Sequence, residues 1–337
     1  MSLSALNSPP LVATTGLGLT YVLPQIENTI ASCPWSTIRI LNLLAYTINF
    51  VSVSRPGRMD GQSVADDGAL SPRNGRTLVA PAGWAFAIWG PIFLGEAIGM
   101  ASQFCIWESN AANQPLIQLL RKTSGSFITA QLFQSLWCAA FRPKYDGIKM
   151  FVSVGMLSMT AYSLSRVHEI FTSSAMLSSY NNLQYGLFFF PMALHFGWTT
   201  AASLVNLNGA IAMNKDTNEK IIAIVGHLSV IGATALGIYL ACERNAPVYS
   251  GVIAWALSAV ADSMKKRIDA GKRIEGDKNN KKRGRKNFKD AASVGNLYGA
   301  SIQYIFAKSG ALMNAATSSI IAGSFLLNRS PKSMPTP

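Results

Sequence analysis

Long apolar runs alternate with short polar segments along the chain, and the runs are long enough to form membrane helices. The stretch from Val79 to Ile106 contains a single charged residue, Glu96. A helix needs about 20 mostly apolar residues to cross a bilayer, so this stretch can span one. The pattern predicts nine helices: A 36–53, B 80–106, C 124–141, D 147–166, E 184–213, F 218–241, G 246–263, H 290–307 and I 309–327.

These helices divide the chain into a core and its extensions. The apolar stretch at 11–23 is short and is interrupted by Gly and Thr, so we expect an interfacial or loosely packed lead-in. Helices H and I are short and rich in Ser, Ala and Gly, which is compatible with a re-entrant hairpin. The expected segments are a lead-in (1–35), a five-helix core (36–213), two further spans (214–263), a basic loop (264–289), a helical hairpin (290–327) and a tail (328–337).

Composition supports a membrane protein. Hydrophobic residues make up 49% of the chain and charged residues 13%, about half the charged share of a typical soluble domain. The mean hydropathy is +0.24. The 4 cysteines show no CxxC or other metal-ligand spacing. We therefore expect them to be small buried hydrophobes rather than a disulfide framework or a metal site.

The distribution of Lys and Arg predicts an orientation in the membrane. If the A–B, C–D, E–F and G–H loops share one side with the C-terminus, that side holds 23 Lys and Arg residues and the other side holds 6. Cytoplasmic loops of membrane proteins carry the excess of these residues. We therefore expect the N-terminus on the trans side and the basic loop on the cis, cytoplasm-equivalent side.

The G–H loop carries most of the net charge. Residues 265–289 contain 12 Lys and Arg against 3 Asp and Glu. A solvated loop that fixes the topology is the simplest interpretation. The alternative is a contact with anionic lipid headgroups, to which each cation contributes about 1 kcal/mol near a membrane surface. Nucleic-acid binding is not expected, because Phe288 is the only aromatic residue among these charges.

Helix B carries an aromatic stripe that contains one carboxylate. An intramembrane carboxylate is costly and usually faces protein or water, so Glu96 is either a hydrogen-bonded structural carboxyl or a ligand or proton site. Gly95 and Gly99 form a GxxxG pair on the adjoining face, which is typical of close helix packing. The stripe itself, spaced by three and four residues, consists of Phe86, Trp89, Phe93, Glu96, Met100 and Gln103.

Helices C and E each place polar and aromatic groups on one face. Helix C carries a polar strip next to Trp137, formed by Gln131, Gln134, Ser135 and Cys138. Interhelical hydrogen bonding would satisfy these groups. On helix E, His195, Trp198 and Asn206 share a face at helical spacing. His195 is either hydrogen-bonded structure, a polar contact to a buried ligand, or an axial ligand to a tetrapyrrole metal.

Three motifs of this chain resemble the translocator protein family (TspO/MBR, the tryptophan-rich sensory proteins), in its longer variants with helices after a five-helix core. The second helix of that family opens with Pro and a Trp-x-Phe-x-x-Trp pattern, its third has a polar residue three before Trp, and its fifth has Asn eight residues after Trp. The matching residues are Pro81, Trp84, Phe86 and Trp89 on helix B, Gln134 and Trp137 on helix C, and Trp198 and Asn206 on helix E.

The resemblance implies a five-helix bundle with a pocket that opens to one face and is covered by the first interhelical loop, here 54–79. Pockets of that family hold large, flat, apolar ligands such as porphyrins, haem or sterols. Phe93, Gln134 and His195 stand where Tyr, Asn and Tyr are common in the family. Together with the stripes on B, C and E, the resemblance gives these candidate ligand-binding residues: Trp84, Phe86, Trp89, Phe93, Glu96, Gln134, Trp137, His195, Trp198 and Asn206.

The expected fold is therefore an all-α, multi-pass membrane protein, with a five-helix TspO-like bundle and about four further transmembrane or re-entrant helices. The expected function is a receptor or carrier for a tetrapyrrole-like or sterol-like ligand. The alternatives are a structural subunit of a larger membrane complex and a proton-coupled transporter that uses Glu96 and His195. No Walker loop, dinucleotide fingerprint, GxSxG or HExxH motif is present, so we do not expect an enzyme.

These expectations define the partners. We expect no required cofactor and no metal site, with porphyrin or haem as candidate ligands. The expected partners are the lipid bilayer, the hydrophobic ligand, anionic headgroups at 265–289 and a second copy of the chain.

Overall fold

The computed structural model describes residues 7–55, 57–58, 76–214, 216–278 and 298–328. Within these ranges the chain is helical and contains no strand. A 3-10 helix, Gly83–Ile88, leads into α3, and a π-helical turn, Tyr185–Phe189, leads into α6. The long helices are α1 (Pro9–Ser32), α2 (Trp35–Ser54), α3 (Trp89–Ser102), α4 (Gln114–Ala140), α5 (Met150–Thr172), α6 (Phe190–Met213), α7 (Glu219–Arg244), α8 (Pro247–Lys278) and α9 (Ala300–Asn328).

Helices α4 and α6 organise the bundle. α4 packs against α1, α2 and α5, whereas α6 packs against α3, α5, α7 and α8. α9 covers α7 and α8. One apolar core runs through the two groups and includes Trp137, Trp198, Val230 and Leu257. α7 and α8 therefore extend the core of the other helices.

Five helical segments in the described part of the chain are long and apolar enough to cross a membrane. They match the predicted helices A, B, D, E and F. Helix C, found here as α4, begins at Gln114 and is mostly buried among the other helices. The five segments are Trp35–Ser54, Gly83–Cys105, Gly147–Thr172, Asn182–Met213 and Glu219–Arg244.

The chain before residue 35 is a packed helix rather than the interfacial lead-in that we predicted. Glu27 of α1 forms two hydrogen bonds with Arg166 of α5, at 2.8 and 2.9 Å. Its carboxylate also accepts a hydrogen bond from Ser126 of α4. Gly125 allows the close approach, because a Cβ there would lie 2.5 Å from Cα of Glu27. The interruptions by Gly and Thr do not break α1, because tertiary contacts support it.

This extra helix changes the expected topology. The Tyr145 hydroxyl, in the α4–α5 loop, donates a hydrogen bond of 2.8 Å to Oδ1 of Asn7. The beginning of α1 and the α4–α5 loop therefore lie at the same end of the bundle. The prediction had placed the N-terminus and this loop on opposite sides, and it was wrong because α1 adds one passage through the bundle.

The C-terminal part also differs from the prediction. Residues 300–328 form the single helix α9 where a hairpin of H and I was expected, since neither a proline nor a turn motif interrupts them. Residues 290–297 of predicted helix H lie outside the described residues. Ser318 of α9 donates a hydrogen bond to the carbonyl of Pro247, while Gln303 contacts His227 of α7. α9 therefore ends opposite the side that we expected for the C-terminus.

Helix α8 continues into the segment that we predicted as a basic loop. The helix runs to Lys278, beyond the boundary at 264. Lys, Arg, Ala and Glu are favourable helix residues, so the charge of this segment does not end the helix. The rest of the predicted loop, 279–289, lies outside the described residues.

Candidate functional site

An apolar cavity lies where α3, α4, α5 and α6 meet α7 and α8. Its volume is about 50 Å³, enough for a few water molecules. The wall is aromatic on the side of the predicted core and consists of small aliphatic residues on the side of α7 and α8. The aromatic lining is formed by Phe86, Trp89, Trp137, Phe141 and Trp198, and the opposite wall includes Val230, Ala233, Ala256, Leu257 and Val260.

The aromatic rings pack mostly edge to face. The ring centroids of Trp89 and Trp198 lie 6.1 Å apart at 87°. Phe86 meets Trp198 at 5.6 Å and 85°. On the α4 side, Trp137 stacks on Phe141 at 5.3 Å. The cavity thus has several ring faces and edges against which a flat apolar molecule could pack.

Three N–H groups of the lining residues lack an acceptor within the described ranges: Nε1 of Trp137, Nε1 of Trp198 and Nδ2 of Asn206. Each of these side chains is at least 95% buried. Buried polar groups are nearly always hydrogen-bonded, and an unpaired one costs about 1–3 kcal/mol. A ligand that offers an acceptor would remove this cost.

The chain before the 3-10 helix covers the cavity. Val79 and Pro81 line it directly. The guanidinium of Arg267 in α8 donates to the carbonyl of Thr77 at 2.8 Å, and the amide of Ala82 donates to the carbonyl of Ala259 at 2.9 Å. These contacts hold the described end of the predicted covering loop against α8. Residues 59–75 of that loop lie outside the described residues.

A buried polar cluster lies next to the cavity. Nδ1 of His195 is 2.7 Å from Oε1 of Glu96, and Nε2 of Gln131 donates to the other carboxylate oxygen at 3.0 Å. Nδ2 of Asn49 in α2 then donates to Gln131 at 2.5 Å and to Gln134 at 2.7 Å. The cluster thus joins α2, α3, α4 and α6, which is how an intramembrane carboxylate is expected to be satisfied.

Close helix packing brings Glu96 to His195. A Cβ at Gly95 would lie 2.5 Å from Cγ of Pro191, and one at Gly99 would lie 2.7 Å from the carbonyl oxygen of Leu187. The two glycines therefore allow α3 to touch the beginning of α6. The sequence prediction of close packing for this GxxxG pair is confirmed.

Half of the ten candidate residues line the cavity: Phe86, Trp89, Trp137, Trp198 and Asn206. Glu96, His195 and Gln134 belong to the polar cluster, and Phe93 packs between Trp89 and His195. Trp84 does not line this cavity: it is 41% exposed, and its Nε1 donates to Asp262 at 3.1 Å. The 3-10 geometry turns Trp84 outward, whereas Trp89 begins the regular helix.

Sequence reasoning missed the wall formed by α7 and α8. We treated these helices as extensions, yet Ser229 of α7 and Ala256 of α8 face the same space as Trp198. Small residues among apolar ones give no distinct motif. It also missed Asn49, although an amide side chain within an apolar run was a usable signal. Gln131 was predicted to lie in the polar strip of helix C, but its hydrogen bond to Glu96 was not.

The cavity has no set of metal-ligand residues. No group of three His, Cys, Asp or Glu residues lies together in the described part of the chain. Nε2 of His195 has no partner within the described ranges, but His195 does not line the cavity and the Trp89 ring packs against it at 5.7 Å. Axial ligation by His195 is therefore not part of this geometry.

Comparison with known proteins identifies the family. The family model described as "TSPO-like protein" matches residues 37–270, which includes α7 and most of α8. No curated protein and no solved structure matches the chain. With its long apolar helices, the chain is an integral membrane protein, and it belongs to the TSPO-like protein family.

Proposed function

We propose that this protein is a membrane receptor or carrier that binds a large, flat, apolar ligand in the aromatic cavity. Two kinds of molecule fit this description: a tetrapyrrole such as porphyrin or haem, and a sterol-like molecule. The observation that supports this proposal is the combination of an aromatic wall with three N–H groups that lack acceptors. Ligand pockets commonly have this composition, an apolar lining with a few polar groups that fix orientation.

The polar groups favour a tetrapyrrole over a sterol. Trp137 and Trp198 offer donors only, since indole N–H cannot accept a hydrogen bond. A porphyrin carries carboxylates, and hydrogen bonds to charged groups contribute about 1.5–3 kcal/mol against about 0.5–1.5 kcal/mol for neutral ones. A sterol offers a single hydroxyl. The donor set therefore matches a ligand that carries carboxylates.

Binding requires the cavity to open. Its volume of about 50 Å³ is far below the roughly 300–1,000 Å³ of pockets that enclose drug-sized ligands. The aromatic wall is supported by several helices, whereas Val79 and Pro81 belong to a segment with few backbone hydrogen bonds. We expect this segment, or the side chains of α7 and α8, to move when ligand enters.

Quenching of tryptophan fluorescence tests the proposal directly. The purified protein is titrated with protoporphyrin IX, hemin and a sterol, and the dimethyl ester of protoporphyrin serves as a matched ligand without carboxylates. Saturable quenching by the free acid, with weaker binding of the ester and of the sterol, supports the proposal. Linear, non-saturable quenching by every ligand would reject it and favour a structural subunit of a larger complex.

A second candidate function is proton-coupled transport, and the Glu96–His195 pair favours it. Both side chains are fully buried and their heavy atoms lie 2.7 Å apart, so one proton can be shared between them. Glu96→Gln keeps the shape of the side chain and removes the titratable group. Proton-coupled uptake into proteoliposomes would be lost in this variant while equilibrium binding is retained. A simple receptor would show no proton-coupled uptake with either protein, and its equilibrium binding would be retained in the variant.

Two peripheral contacts complete the proposal. Lys265 and Lys266 are exposed at the charged end of α8, where anionic headgroups can interact with residues 265–289. From the asymmetry of Lys and Arg we infer that this end lies on the cis side. A second copy of the chain is a further candidate partner.

A further inference from the structure

We propose that apolar ligands enter the cavity sideways from the bilayer, through a seam between the 3-10 helix Gly83–Ile88 and α8. This inference rests on the proposed function, because it concerns how the same cavity is filled. The seam is defined by the contacts of residues 82–85 with residues 255–262.

An open apolar groove leads to this seam on the outer surface of the bundle. Its volume is about 510 Å³, within the range of ligand sites. Its walls come from the beginning of α3, from α6, α8 and α9, and they include Pro91, Phe190, Leu194 and Trp255. Two of these helices, α3 and α6, belong to the segments long enough to cross a membrane. Because the groove is apolar and open between such helices, we take it to face hydrocarbon and to receive a molecule dissolved in the bilayer.

The groove and the cavity lie on two sides of the same thin partition. Along α8, the groove ends at Trp255 and the cavity begins at Ala256. In the 3-10 helix, Phe86 lines the cavity, whereas its neighbours Ala87 and Ile88 line the groove. A ligand in the groove is thus one layer of side chains away from the aromatic wall.

Few interactions close the seam. Nε1 of Trp255 donates to the carbonyl of Ala85 at 3.0 Å, and the two rings of Trp84 and Trp255 meet edge to face at 4.6 Å. The bond from Trp84 to Asp262 and the bond from Ala82 to Ala259 complete the contact. Both tryptophans are about 40% exposed, so their rings can swing outward without crossing the core.

The local backbone also permits opening. A 3-10 helix has poorer hydrogen-bond geometry than an α-helix, and this one precedes α3, so it can move without a break inside α3. A hinge at Gly83–Ile88 would separate Phe86 from Ala256 while α3 itself stays in place. The ligand could then pass from hydrocarbon to the cavity without exposure to water.

A disulfide across the seam tests this route. Ala82→Cys with Ala259→Cys places thiols on two residues that are joined by a backbone hydrogen bond of 2.9 Å, and loss of free thiol on oxidation verifies that the disulfide has formed. The four native cysteines are first replaced, and Ala82→Cys alone is the matched control. Each protein is placed in nanodiscs whose lipid contains protoporphyrin IX, and the quenching rate of the cavity tryptophans is followed.

We expect the oxidised pair to slow both association and dissociation by about tenfold or more, with the equilibrium constant unchanged within about twofold, because a gate changes rates rather than end states. Reduction should restore both rates. Conversely, Trp255→Phe, which keeps a ring but loses the bond to Ala85, should accelerate both rates.

Other results would overturn the route. Unchanged rates in the oxidised pair would show that ligand enters by a path that the seam does not control. If the rates in Trp255→Phe are also unchanged, the groove binds only lipid acyl chains and is not part of the ligand route. Absence of saturable quenching in the single-cysteine control would instead reject the proposed function, and the route with it.

Discussion

Nδ1 of His195 in α6 lies 2.7 Å from Oε1 of Glu96 in α3. The two residues are 99 positions apart in the chain, and both side chains are fully buried. Gln131 donates to the second carboxylate oxygen, so both oxygens are paired. The pair stands next to Trp89, at the boundary between the polar cluster and the cavity. It therefore connects the packing of α3 on α6 with the aromatic wall.

Breaking this pair from one side should be costly. His195→Ala leaves the carboxyl group without its closest partner, and we expect a loss of about 3 kcal/mol in the free energy of unfolding. Glu96→Gln should cost less, because the amide oxygen can still accept from Gln131 and the amide N–H can donate to Nδ1 of His195 in the tautomer that carries its proton on Nε2. Reversible unfolding in mixed micelles provides the measurement.

The double variant checks that the two side chains act as a pair. Its loss should be smaller than the sum of the single losses, by about 1–2 kcal/mol. Strictly additive losses would contradict a direct interaction between Glu96 and His195.

The glycines of α3 give a second prediction. Gly99→Ala places a methyl group 2.7 Å from the backbone oxygen of Leu187. A backbone atom cannot shift as easily as the end of a flexible side chain, so the two helices must move apart. We expect a loss of about 1–3 kcal/mol in the free energy of unfolding, which is typical of overpacking. Thermal unfolding of the detergent-solubilised protein gives the value.

Gly90→Ala is the matched control in the same helix, because a Cβ at Gly90 meets nothing within 4 Å. It should be neutral or slightly stabilising, since Ala favours helix over Gly by about 1 kcal/mol. Equal losses for the two variants would contradict the close contact of α3 with the beginning of α6.

Much of the fold could be predicted from apolar runs, because burial in a bilayer requires such runs. The predicted bounds of helices B, E and F lie close to the observed ones. α1 could not be predicted in this way: its stability depends on Gly125 and on the Glu27–Arg166 pair, contacts that are distant in sequence. The α8 boundary was missed because charge was taken to end a helix.

The candidate site was predictable only in part. Trp89, Trp137, Trp198 and Asn206 line the cavity, as their spacing and the family resemblance suggested. Trp84 belongs to the same motif, but it lies in the 3-10 helix Gly83–Ile88 and its side chain points away from the cavity. The motif alone does not show whether its backbone forms a 3-10 helix or an α-helix.

The corrected topology makes a third prediction. Cysteines introduced at Ser8 and at Asp146 should react with a membrane-impermeant maleimide from the same side, because Asn7 contacts Tyr145. A cysteine at Ser109, between α3 and α4, should react from the other side. The background must lack Cys105 and Cys242, which are exposed. Labelling of positions 8 and 146 from opposite sides would restore the original prediction.

The unpaired indole groups make a fourth prediction. Trp198→Phe keeps an aromatic ring and removes an N–H that has no acceptor within the described residues. The ligand-free protein should therefore lose little stability, since no hydrogen bond is broken. Affinity for protoporphyrin IX should fall by about tenfold, and affinity for its dimethyl ester by about threefold, since charged acceptors gain more from a donor. Absorbance at the Soret band measures both without relying on tryptophan emission.

A comparison of Trp89→Phe with Trp84→Phe tests whether the aromatic cavity is the ligand site. Both tryptophans belong to one motif, but only Trp89 lines the cavity, while Trp84 lies outside it against Trp255. In equilibrium titrations with protoporphyrin IX, we expect Trp89→Phe to weaken binding about fivefold or more and Trp84→Phe to leave the dissociation constant unchanged. Equal affinities of both variants and the unmodified protein, or a loss confined to Trp84→Phe, would contradict this assignment of the site.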